Sequence, residues 1–202
     1  MFLVGSAHQG LTRMKEQSPE NLVWLDMEMS GLDVEKESIL EIATVVTDGN
    51  LKVIEEGPNL IVHQDEAVLL EMDGWNQKHH SASGLIEKVR RSKLTVKDVE
   101  QETLEFVQKY CPEQTSPLCG NSIGQDRKFL YKHMRTFHDY LHYRNIDVTS
   151  VKELIARWYP NGPELPTKSE EHKALVDVKE SIEELEFYRR NYFILPGSMG
   201  SA

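Results

Sequence analysis

The sequence predicts an α/β fold in which a mixed sheet carries helices on its faces, and three observations predict it. A β-favouring run, NLVWLDMEM, starts at Asn21 and halts at Ser30-Gly31, where turn chemistry takes over. Two further β-rich stretches, SILEIATVV and LKVIEEGPNLIV, flank Asp48-Gly49-Asn50, the strongest short-range hairpin signal in the chain. From His63 onward helical patterns alternate with two short strand candidates. Three strands followed by such an alternation bury their apolar faces only if helices pack against a sheet.

The hairpin makes the second and third strands antiparallel neighbours. Short helical segments follow at about 67–72, 75–80 and 84–91, then a better-marked helix from Thr95. There Thr95 and Asp98 have capping-box spacing, and Val99, Phe106, Val107 and Tyr110 recur at helical intervals. Pro117-Leu118-Cys119-Gly120 reads as a short buried strand, 125–138 as one helix, 142–148 as a strand and 149–159 as a helix stopped by Pro160. The loop NGPELPTKSE is the longest irregular inner stretch and is expected to be mobile. A final helix from about Glu171 to Tyr192 carries Leu175, Val178, Ile182 and Leu185 on one stripe. The expected organisation is a flexible segment 1–20, one domain over 21–194 and a flexible tail 195–202.

At 202 residues, one domain can bury a core without disulfides or structural metal. No apolar run approaches the roughly 18 residues of a membrane span. Cys111 and Cys119 are the only cysteines, which favours a reducing compartment, the cytoplasm. The formal charge of −10 opposes tracking along long nucleic acid, which relies on many Lys and Arg displacing phosphate counterions. A nucleic-acid substrate is therefore expected to be short.

Chemistry concentrates in four places. Strand alternation puts Asp26 and Glu28 on one side, with Leu25, Met27 and Met29 on the other. Two carboxylates that close repel unless a cation such as Mg²⁺ or Mn²⁺ neutralises them, although a solvated strand face also carries such pairs. Asp126 stands at a helix start behind CGNSIGQ, where an acid also simply complements the helix dipole. His172 and Asp177 lie five positions apart in EEHKALVDVKES, a spacing that lets both face one cleft.

Read in order, Asp-x-Glu, a mid-chain helix-start Asp and a C-terminal His-x₄-Asp match the DEDDh exonucleases. The runs WLDMEMSGLD, LCGNSIGQDRKFL, HYRNIDV with VKELIARW, and HKALVDVKESIEELEFYR resemble the oligoribonuclease family in particular, over about residues 21–193. This resemblance implies a ribonuclease H-like sheet of five strands with the second antiparallel, and 3′→5′ cleavage of very short RNA to 5′-mononucleotides. It implies two divalent ions, Mg²⁺ or Mn²⁺, held by Asp26, Glu28, Asp126 and Asp177, with His172 as general base. Ser122, Arg144 and Thr149 match a polar cap on the substrate 5′-phosphate, and Leu32 matches a wedge between two bases. Trp75, His80 and Tyr143 match residues that complete the site from the partner subunit of a homodimer.

One position departs from the pattern: members usually carry two adjacent acids where this chain has Val176-Asp177. Adjacent helical residues point about 100° apart, so only one faces the metals, and the step from His172 selects Asp177. Two rival readings stay open at this point, a DEDDh exonuclease acting on longer strands and an inactive nucleotide-binding module.

Overall fold

The computed structural model of the chain describes residues 17–164 and 173–193. Three strands come first, β1 (Leu22–Met29), β2 (Ile39–Thr47) and β3 (Val53–Ile61). Helices α1 (Glu66–Glu71), α2 (Gly74–Ala82), α3 (Leu85–Arg91) and α4 (Val96–Gln108) follow. Then come β4 (Leu118–Gly120), α5 (Gly124–His133), α6 (Arg135–Tyr140), β5 (Asn145–Asp147), α7 (Val148–Trp158) and α8 (Ala174–Tyr192).

The strands form one mixed sheet of five in the order β3-β2-β1-β4-β5. β2 runs antiparallel to both β1 and β3, whereas β4 is parallel to β1 and to β5. The central strands are apolar on both faces because each face is covered. On one side Val23, Leu25, Met27 and Ile42 pack with Val99 and Val107 of α4, Phe129 of α5 and Phe137 of α6. On the other, Trp24, Ala43 and Val45 pack with Ile155 of α7 and with Val178 and Ile182 of α8. Full burial of each such side chain stabilises the fold by roughly 1.5–3 kcal/mol. A third cluster seats α1 and α3 on Leu40 through Leu69, Leu85 and Val89.

The hairpin forms where expected, but its left-handed residue is Leu51 (φ 71°), not Gly49. Asp48 organises the turn, its Oδ1 accepting the Asn50 and Lys52 N–H groups at 2.8 and 3.0 Å. Burial of the Leu51 side chain in the α8-side core offsets its backbone cost. The Thr95 capping box is also present, with Thr95 N–H donating to Asp98 at 2.8 Å and Asp98 N–H to Thr95 Oγ1 at 3.3 Å.

Three expected elements change. The helix expected over 125–138 is broken at Met134 (φ −133°, ψ 58°) into α5 and α6. No Pro or Gly marks this break. Its support is tertiary, since Glu100 of α4 accepts the Phe137 N–H in the first turn of α6 at 3.0 Å. The strand expected over 142–148 contracts to Asn145–Asp147, because Asp147 turns to cap α7 through the Thr149 N–H at 3.0 Å. The final helix starts at Ala174, three residues later than expected. Residues 165–172, which include most of the expected loop 161–170, lie outside the described residues, as do 1–16 of the expected flexible segment 1–20 and the whole expected tail 195–202.

Candidate active site

The carboxyl half of β1 sets the site. Along it Asp26 and Glu28 follow Trp24 onto the face covered by α8, and Asp177 in the first turn of α8 meets them. One carboxylate oxygen from each of Asp26, Glu28 and Asp177 lies within 4.8 Å of the other two.

Asp126 reaches the same strand by a different route. β1 outruns β4, which pairs with it only at Leu118 and Cys119. Gly120 permits the close exit of β4, because a Cβ there would come 2.7 Å from the Leu25 carbonyl oxygen. In the gap beyond, Asp126 of α5 takes over as acceptor, its Oδ1 receiving the Met27 N–H at 3.1 Å. This carboxylate is buried, and its charge raises the pKa of both Asp26 and Glu28, although it stands outside the 4.8 Å group.

Burial and mutual repulsion push these acids up together. Asp26 rises well above its ordinary 3.8 through burial first, then through Asp126, Asp177, Glu28 and Glu41. Glu28 is pushed from 4.5 to about 8 by burial, then by Asp177, Glu41 and Asp126. Asp126 moves from 3.8 to about 7, burial outweighing the backbone N–H groups that favour its charged form. A divalent cation relieves such repulsion, and an all-carboxylate donor set suits the hard ions Mg²⁺ and Mn²⁺. Glu41 supports the same conclusion. It sits opposite Glu28 on β2 and is 2% exposed, and its Oε1 finds no hydrogen-bond partner among the described residues. An orphaned, buried carboxylate oxygen beside three others fits a divalent ion in the cluster.

The remaining site residues fall into two groups. His80 is buried beside Glu28 of its own chain, with Nδ1 3.8 Å from Glu28 Oε2 and Nε2 3.0 Å from the Met29 carbonyl oxygen. The carbonyl requires the proton on Nε2, which leaves the Nδ1 lone pair toward Glu28. Burial lowers the His80 pKa while Glu28 is raised, so the two are neutral neighbours near pH 7 and not an ion pair. The α2 fold thus carries His80 to its own β1. Trp75, on the same helix, is exposed and stacks on His79 at 4.6 Å. Leu32 is exposed just after β1, and its carbonyl accepts from Gln125 in α5 at 2.6 Å.

Ser122 and Thr149 come together at the carboxyl ends of β4 and β5, their hydroxyls 3.1 Å apart. Ser122 is left-handed (φ 50°), and its N–H donates to Asp147 Oδ1 and Thr149 Oγ1 at 3.0 and 2.9 Å. Arg144 and Tyr143 are exposed and contact each other, Arg144 Nε donating to Tyr143 Oη at 3.1 Å. His172 lies outside the described residues.

Three contributors escape a reading of the sequence. Glu41 carried a signal, a lone acid inside the apolar run ILEIATVV, but its direction depends on pairing with Glu28. Asp147 and Asn121 resemble ordinary cap and turn residues, and only their distant partners show otherwise.

The chain is similar to known proteins. The exonuclease family RNase_T matches residues 23–185. An oligoribonuclease of Shewanella loihica is 53% identical over 173 residues, covering 86% of this chain and 96% of the relative. One of Haemophilus influenzae is 52% identical over 176 residues, covering 87% and 97%. The chain belongs to the oligoribonuclease family. Membership in the oligoribonucleases makes it a hydrolytic, metal-dependent exoribonuclease. The fold is also similar to solved structures of exonuclease I, one with a TM-score of 0.68 at 14% identity over 86% of this chain. Another, from Methylocaldum szegediense, has a TM-score of 0.65 at 19% identity over 85% of this chain. The chain spans 41% of the length of each, and the likeness is one of fold.

Proposed function

We propose that this chain hydrolyses very short RNA from the 3′ end, dinucleotides above all, releasing 5′-mononucleotides. The convergence of Asp26, Glu28 and Asp177 within 4.8 Å, with Asp126 on the next backbone N–H, carries the reading. These four acids would hold two divalent ions, Mg²⁺ or Mn²⁺. When bound, such a pair supplies charge stabilisation to both the attacking and the leaving oxygen of an in-line displacement at phosphorus. His172, five residues before Asp177, takes the proton from the attacking water as general base, and the P–O3′ bond breaks. Ser122 and Thr149 together with Arg144 contact the 5′-phosphate of the substrate, Leu32 wedges between its two bases, and Trp75, His80 and Tyr143 complete the site of the partner subunit.

The preference for short RNA follows from charge and closure. A protein of formal charge −10 gains little from phosphates outside the site, since affinity for long strands grows with counterions released by basic residues. A third nucleotide would also displace the contacts to the 5′-phosphate, each charge-assisted hydrogen bond being worth about 1.5–3 kcal/mol. The active form is a homodimer in the cytoplasm. Trp75 and Tyr143 are exposed, as contact with a second copy requires, while both cysteines are free and buried.

The test is cleavage of 5′-labelled RNA of two to seven nucleotides with Mg²⁺ or EDTA. Loss of single 3′ nucleotides, fastest for the dimer and abolished by EDTA, is expected. Equal kcat/KM for two and seven nucleotides would favour a general exonuclease, and no cleavage at any Mn²⁺ concentration an inactive module.

A further inference from the structure

Asn121, the first residue after β4, has both ends of its carboxamide engaged. Nδ2 donates to Ser181 Oγ at 2.9 Å and to Glu184 Oε2 at 3.1 Å, both on α8. Oδ1 accepts from Thr149 Oγ1 at 3.1 Å. The direction of every bond around it follows from donor and acceptor chemistry alone. The Asp177 carbonyl can only accept, so Ser181 Oγ, 2.9 Å away, gives it its hydrogen. Ser181 then turns a lone pair to Asn121, which fixes the amide with nitrogen toward α8 and oxygen toward Thr149. Thr149 must give its hydrogen to that oxygen, which leaves its lone pairs to receive the Ser122 N–H at 2.9 Å and the Ser122 hydroxyl at 3.1 Å. Four side chains thus make a one-way chain from Ser122 to the main chain of Asp177.

Glu184 anchors this chain. It is 1% exposed, and its other oxygen accepts from Tyr188 Oη at 2.8 Å and lies 3.7 Å from Lys152 Nζ. A carboxyl in such surroundings is retained only with partners for its oxygens, and it takes one hydrogen of Asn121. The left-handed Ser122 is held by the same set of bonds, since a residue in that conformation persists where its surroundings over-determine it.

We propose that Asn121 is a positioning residue, anchored by Glu184, that sets the Ser122–Thr149 hydroxyl pair in register with Asp177. Ser122 follows β4, Thr149 lies in α7 and Asp177 in α8, and the carboxamide bridges them. This inference rests on the reading of Ser122 and Thr149 as substrate contacts.

A carboxylate exchange tests it. Asn121→Asp places an acceptor-only group against the Ser181 lone pair and the Glu184 carboxyl. Adding Glu184→Gln returns a donor to that contact while keeping the acceptor toward Thr149. The dinucleotide KM is expected to rise about tenfold in Asn121→Asp, a single lost polar contact being worth about that factor, and to return within about threefold of wild type in the double variant. Mn²⁺ affinity by titration calorimetry should fall severalfold in Asn121→Asp, a change that general loosening at constant Tm would not cause. Wild-type KM in a folded Asn121→Asp overturns the proposal, as does a double variant that folds yet keeps the raised KM. If the single variant does not fold, recovery of both Tm and KM in the double variant supports the pairing, and failure of the double variant to fold overturns it. Ser122→Ala separates the two ideas. Unchanged KM there removes the substrate reading and the proposal with it, whereas a raised KM in Ser122→Ala beside an unchanged one in Asn121→Asp removes the proposal alone.

Discussion

Replacing Glu28 by Gln should stabilise the metal-free protein while destroying its response to metal. Asp26, Glu28 and Asp177 present oxygens at most 4.8 Å apart, and two unit charges at that distance repel by at least about 3.5 kcal/mol at an effective dielectric constant of about 20. A carboxyl moved from 4.5 to about 8 forfeits on the order of 5 kcal/mol of folding free energy when it ionises in the fold. Protons shared among the acids blunt both figures, so a gain of about 2–4 kcal/mol is expected at pH 8. In a domain of this length that is roughly 5–15 °C in Tm. The folded value of Glu28 lies above the unfolded one, so ionisation costs nothing below about pH 4.5 and progressively more up to about pH 8. The advantage of Glu28→Gln should grow through that window and vanish below it. Scanning calorimetry in EDTA from pH 4.5 to 8, repeated with Mn²⁺, measures both halves. A metal-free variant less stable than wild type at pH 8, or one that keeps the full Mn²⁺-induced rise in Tm, would refute the reasoning.

Other outcomes follow from the same geometry. Asp177→Ala should abolish cleavage and Mn²⁺ binding while Val176→Asp changes the rate little; an active Asp177→Ala would transfer the ligand role elsewhere. Mn²⁺ affinity should rise about tenfold or more from pH 6 to 8, because Glu28 at about 8 and Asp126 at about 7 must release protons to bind metal; a flat calorimetric profile would contradict this. Arg144→Ala should slow dinucleotide cleavage most and narrow the gap between two and five nucleotides in kcat/KM. Thr95→Ala removes the capping box at the start of α4 and should cost about 1 kcal/mol in denaturant unfolding without altering activity.

What the sequence made legible was whatever depends on local period. Asp26 and Glu28 share a face because strands alternate, and Asp48 and Thr95 build their turn and cap from residues at most four positions away. Positions that take meaning from distant pairing stayed hidden. Glu41 is a site acid only because β2 lies beside β1 in a register that opposes it to Glu28. The break at Met134 depends on Glu100 from another helix. Of the residues matched through the family, Ser122 and Thr149 meet, and His80 lies beside Glu28.

The short length of β4 has a consequence for how this site tolerates change. Because Asp126 and Asn121 occupy a notch left where one strand ends before its neighbour, the notch is measured in whole residues and not in side-chain volume. Inserting one residue in β4 would advance Asn121 by about 3.3 Å and turn its side chain to the opposite face of the sheet. Substitutions in the surrounding helices can drift by fractions of an ångström and be absorbed by repacking. A change of count in three residues of strand admits no such compromise.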